Sequence, residues 1–91
     1  MKVDFNRQFT DFHGRAMEGE QNNIREGVCI SLFSYNGKGD EKYKAYKLMR
    51  KIADGEGVAE ITAEEATLIK NACAERYNAG AYGQIVEIVE Q

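Results

Sequence analysis

The chain has 91 residues, 43% hydrophobic and 30% charged, with a net charge of −3. This is the composition of one ordinary globular domain spanning residues 1–91, which buries roughly 60–65% of its unfolded surface. It excludes a bilayer-spanning helix, because no apolar run approaches the ~18 residues required, and two distant cysteines make neither a disulfide framework nor a zinc site.

Val3 and Phe5 alternate with polar residues, which predicts an extended N-terminal segment. Phe9 to Phe12 and Arg15 to Met17 flank His13-Gly14, and the glycine permits the positive φ of a tight β-hairpin. Residues 18–22 read as loop. Asn23 is placed to cap a helix, with Glu26 closing an Asn-x-x-Glu box. Val28, Cys29, Leu32 and Phe33 form the expected apolar stripe of that helix, and Asn36-Gly37 its stop. The β-branched character of Val28 to Leu32 leaves a strand as the alternative.

Asp40 is expected to cap the next helix. Ala45, Leu48, Met49, Ile52 and Ala53 line one face of it, and Gly55 ends it. With no proline in the chain, such breaks fall to nine glycines. Val58 to Ile61 is expected as a short strand joining the N-terminal hairpin. The strongest local signal follows. Thr62 can accept the backbone N–H of Glu65, and Glu65 can reach back to the N–H of Thr62, a capping box with acidic residues at the positive helix end. The helix it opens is expected over about 63–77, with Ala66, Ile69, Cys73 and Tyr77 at helical spacing. Asn78-Ala79-Gly80 reads as a break. Ile85, Val86, Ile88 and Val89 after Gly83 read as a short terminal helix.

Charge is unevenly spread. Residues 1–37 carry four basic and five acidic groups, residues 38–51 six basic and two acidic, and residues 54–91 two basic and eight acidic, for nets of −1, +4 and −6. The basic middle supplies the candidate interaction residues: Lys42, Tyr43, Lys44, Lys47, Arg50 and Lys51, with Tyr46 among them. Lysines neutralise phosphates and tyrosines stack on bases. A solvated helix face, or a basic patch for an acidic protein, is the favoured account of the pattern, because the overall charge is negative and the lysines do not align with a groove-reading motif. The acidic part is too sparse for nucleic-acid mimicry. Opposed patches also allow two copies to pair as a homodimer.

No chemistry is signalled. His13, the only histidine, sits in a turn without a partnered nucleophile. Phosphate loops, H-E-x-x-H, nucleophile elbows and EF-hand loops are absent from the sequence. Both cysteines fall on predicted apolar faces and read as reduced core residues. No catalytic, metal or cofactor residue is expected, and the chain is not expected to be an enzyme. Met1-Lys2-Val3-Asp4-Phe5 lacks the h-region of a signal peptide, so a cytoplasmic location is expected.

Four blocks carry a resemblance: Asp11-Phe12-His13-Gly14; Tyr46 to Ile52; Ala59-Glu60-Ile61-Thr62-Ala63-Glu64-Glu65 with Ala66 to Lys70; and Tyr82-Gly83-Gln84 to Glu90. Together the chain resembles a family of small proteins encoded in tailed-phage and prophage genomes. These carry a D-x-x-G hairpin, an L-T-A-E-[ED]-x-x-L-I-K helix and a V-G-Q-like terminal helix. Ile61 stands here for the usual leucine, and Ala81-Tyr82 where aliphatics are common. The resemblance implies a phage-derived protein in the cytoplasm of an infected bacterium. It brings no functional residues with it.

The expected fold is α+β and mainly helical, an N-terminal β-hairpin packed on three to four helices. The expected function is non-enzymatic binding of a host or phage protein, with no membrane partner. A host-takeover or counter-defence inhibitor of the anti-CRISPR kind comes first. The alternatives are a phage morphogenesis or assembly accessory and a nucleic-acid-binding regulator.

Overall fold

In the computed structural model, which describes residues 1–90, the order is β1 (Lys2–Asp4), a single 3-10 turn (Glu20–Asn22), α1 (Ile24–Phe33), α2 (Gly39–Asp54), β2 (Val58–Glu60), α3 (Ala63–Ala74) and α4 (Ala79–Val89). The fold is α+β and mainly helical. β1 and β2 pair antiparallel with Val3 opposite Ala59, and both of these side chains are buried.

The turn at residues 11–14 closes where expected. Thr10 bridges Ala16, and the Gly14 N–H donates to the Asp11 carbonyl at 2.9 Å. The Asp11 carboxylate accepts the N–H groups of His13 and Arg15 at 2.9 and 3.0 Å, so the side chain substitutes for missing ladder bonds. The base of this hairpin is held to the far end of the chain. The Thr10 N–H donates to Gln84 Oε1 at 2.8 Å, and Gln84 Nε2 donates to the Thr10 carbonyl at 3.0 Å. A side-chain amide on α4 thus acts as the missing strand partner.

α1 forms as a helix, which removes the strand alternative. Asn23 caps it by accepting the Glu26 N–H at 3.2 Å. Its buried face agrees with the expected one at Val28 and Leu32 and departs from it at Phe33. Ile24, Gly27, Val28, Ser31 and Leu32 turn inward, while Cys29 is half-buried and Phe33 is 71% exposed. The face is rotated because Ser31 can be buried: its hydroxyl donates to the Gly27 carbonyl one turn back, at 2.8 Å. Gly27 admits Tyr77, since a Cβ there would lie 2.1 Å from the Tyr77 hydroxyl. The helix also ends earlier than expected, with Ser34 at its C-cap.

α2 starts from Lys38 rather than Asp40. No side chain caps it, and Asp40 lies within its first turn, favoured there by the helix dipole. Ala45, Leu48, Met49 and Ile52 are buried as expected, and Ala53 is half-buried. The turn after α2 needs Gly57 at φ 87, where the Asn6 side-chain oxygen lies 2.3 Å from the position of a Cβ.

The Thr62 capping box is present in both directions, at 3.0 Å from Glu65 N–H to Thr62 Oγ1 and 2.9 Å from Thr62 N–H to Glu65 Oε1. α3 stops at Ala74, three residues short of the expected end, leaving Tyr77 to pack its ring 5.4 Å from that of Phe9. Asn78, expected as the break after α3, instead caps α4, accepting the Ala81 N–H at 3.0 Å. α4 therefore begins before Gly83. The core joins Val3, Phe5 and Phe9 to the inner faces of all four helices and to Ile61.

Candidate interaction surface on the basic helix

All six candidate residues lie on α2 and all are exposed, yet the fold gives them two different surroundings. With 3.6 residues per turn and the buried face at Ala45, Leu48 and Ile52, the remaining positions divide between two flanks and a crest.

Lys44 and Lys51 occupy the flank toward α3. Lys51 Nζ meets Glu65 at 2.8 Å, and Lys44 Nζ lies 3.6 Å from Glu64. The acidic start of α3 thus faces the basic helix, and the charge separation seen along the sequence partly closes on itself in space. Desolvation pushes the Glu65 carboxyl up, but the Lys51 ammonium and the Thr62 N–H outweigh it and hold the group below the usual carboxylate value. One carboxylate therefore serves as helix cap and inter-helix ion pair together. Between the two helices runs an open groove of about 510 Å³. Leu48 and Leu68 contribute apolar surface to it, and Lys44, Lys47, Lys51, Glu64 and Glu65 ring it.

Lys42 and Tyr46 occupy the other flank, and Tyr43, Lys47 and Arg50 the crest, from which Lys47 also borders the groove. Arg50 pairs with Asp54 one turn on, at 2.8 Å. Lys47 Nζ lies over the Tyr43 ring at 4.8 Å, a cation–π contact. Among the described residues, Lys38, Lys42 and Lys47 meet no carboxylate. Tyr43 is 63% and Tyr46 50% exposed. This side of α2 is therefore cationic and aromatic, with Lys42 and Lys47 meeting no carboxylate among the described residues.

The acidic surface is less concentrated. Glu90 pairs with Lys70, and Glu64 and Glu65 are engaged by α2. Sequence reasoning did not find the exposed apolar edge of α1, where Ile30 and Phe33 point away from the core. Phe33 was expected on the buried face, and Ile30 was not part of the expected stripe.

The two thiols are not poised for reaction. Burial pushes the Cys73 thiol up to about 11, against lowering contributions from the Ser31 hydroxyl and the Arg76 charge, and burial also raises Cys29. Both are free and protonated at neutral pH. Among the described residues no three His, Cys, Asp or Glu side chains gather as a metal site, and no helix is long and apolar enough to cross a membrane. No protein-family model, curated protein or solved structure matches this chain.

Proposed function

We propose that the protein acts without catalysis, by stoichiometric binding of another protein through the exposed crest of α2. In the phage context that the sequence resemblance implies, this makes it a host-takeover or counter-defence inhibitor of the anti-CRISPR kind, working in the cytoplasm of the infected bacterium. The observation that carries the binding reading is the crest itself. Tyr43 and Tyr46 are solvent-facing, and Lys42 and Lys47 have no carboxylate among the described residues. Tyrosine at a partly exposed site offers large contact area with few rotamers to freeze, and unpaired lysines steer an acidic partner.

The regulator alternative loses support from the same geometry. Lys44, Arg50 and Lys51 already meet carboxylates, so few cations remain to track phosphates. The assembly-accessory alternative uses the same surface with a phage protein as partner.

The test is affinity capture from infected-host lysate with the intact chain and its Lys42→Glu/Lys47→Glu variant. Recovery of a host defence or regulatory protein, lost in the variant, supports the inhibitor. Recovery of head or tail proteins instead selects the assembly role. Capture unaffected by the reversal removes α2 as the binding surface.

A further inference from the structure

The groove between α2 and α3 carries opposite charge on its two walls. Its lining runs from Glu41 to Lys51 along α2, about 15 Å of helix, and from Glu64 to Asn71 along α3, about 10 Å. Glu41, Lys44, Lys47 and Lys51 give the α2 wall a net of +2, and Glu64 and Glu65 give the α3 wall a net of −2. Buried Leu48 and half-buried Leu68 form the apolar floor. The chain does not use all of this charge itself. Among the described residues Lys47 meets no carboxylate, and Glu64 meets only Lys44, at 3.6 Å and with its own side chain 84% exposed. An open groove with an apolar floor and charges of opposite sign on opposite walls selects its occupant by the order of those signs.

We infer that a second copy of this chain docks in the groove, forming a dimer whose two-fold axis lies along it. A half-turn about that axis places the α2 wall of each copy over the α3 wall of the other, so a net of +2 meets a net of −2 twice. A half-turn about an axis across the groove sets each wall against itself, and the same charges oppose it. A two-fold interface needs one self-complementary patch, and this order of signs supplies it. Lys47 gains the acidic wall that it lacks within one chain. Leu68 of each copy comes over the aliphatic stems of lysines on the other. Other occupants fit less well. A phosphate backbone entering the groove meets Glu64 and Glu65. A uniformly acidic or uniformly basic peptide is repelled by one of the two walls. The dimer leaves Lys42 and Tyr46, on the opposite flank of α2, open to the proposed partner, and it does not depend on that partner.

The test is sedimentation equilibrium of the intact protein over a range of concentrations, at low and at raised salt. Three variants are first checked for parental circular dichroism. Lys44→Glu/Lys47→Glu makes both walls acidic, Glu64→Lys/Asn71→Lys makes both basic, and Lys42→Glu alters the far flank alone. The expected result is a monomer–dimer equilibrium that raised salt weakens. Its dissociation constant should rise about tenfold or more in each wall variant and stay unchanged in Lys42→Glu. An equimolar mixture of the acidic-walled and basic-walled variants should recover the dimer, since every wall then faces its opposite. A parent chain that is monomeric at every concentration overturns the proposal. A dimer that survives both wall variants, or that Lys42→Glu dissociates, lies elsewhere on the chain and overturns it as well. A mixture that fails to recover the dimer overturns the two-fold arrangement. The lysate capture decides the proposed function separately from all of these outcomes.

Discussion

The two sides of α2 carry similar residues and do different things. On the α3 side, Lys44 and Lys51 find Glu64 and Glu65 across a groove. On the crest, Lys42 and Lys47 meet no carboxylate among the described residues, and two tyrosines stand in solvent. The difference comes from the capping box. Thr62 and Glu65 fix where α3 begins, and that start carries two carboxylates to one flank of α2 only. Cations paired across the groove and cations without a carboxylate thus sit within one turn of each other. Their sequence spacing does not separate them.

Truncating the hinge of this comparison should have the largest effect. Leu48 is buried on α2 and contributes apolar surface to the groove. Leu48→Ala is expected to cost about 2–5 kcal/mol by urea denaturation, through lost transfer energy and a residual cavity. Thr62→Ala comes next, at about 1 kcal/mol, by freeing an N-terminal donor of α3. An unchanged urea midpoint at fixed m-value would detach the α3 start from the stability of the inner flank.

A smaller effect is pH-dependent. The Glu65 carboxyl is held below its ordinary value of 4.5 in the folded chain, so its stabilisation is present above that pH and is lost as pH falls through the folded value. Glu65→Gln keeps an oxygen for the Thr62 N–H and removes the charge facing Lys51. The variant should therefore show a shallower loss of stability below about pH 4.5 than the parent chain, read from midpoints at stepped pH. The smallest expected effect is none at all. With both thiols free and raised, dithiothreitol and EDTA should leave the melting temperature unchanged. A drop with either reagent would point to a cross-link or metal and to a different architecture for the thiols.

What the sequence revealed, and what it concealed, follows the range of each interaction. The Thr62 box was legible because all its atoms lie within four residues. The turn at His13-Gly14 was legible for the same reason, and the inner face of α2 because its apolar residues recur at helical spacing. The rotation of α1 was concealed by Ser31, a polar residue that is buried because it satisfies itself on the Gly27 carbonyl. The expected stripe included Cys29 and Phe33 and passed over Ser31, which is buried while Phe33 is exposed. Asn78 was read as a break although it also begins α4, because a cap and a stop use the same residue types. The Gln84 clamp on Thr10 spans 74 residues and leaves no local pattern. At the candidate surface, the cluster of lysines and tyrosines was visible at once. Which of them are engaged depended on where α3 folds back, which is a tertiary fact.

The division of α2 can be tested directly by comparing the urea midpoints of two double reversals, Lys44→Glu/Lys51→Glu and Lys42→Glu/Lys47→Glu. The first sets like charges against Glu64 and Glu65 and should lower stability by about 1 kcal/mol, the scale of exposed and partly exposed pairs. The second should leave it within about 0.5 kcal/mol of the parent, as surface substitutions away from structural features do. Equal losses in the two variants, or a larger loss from the crest, would contradict the claim that one side of the helix serves the fold and the other is left for a partner.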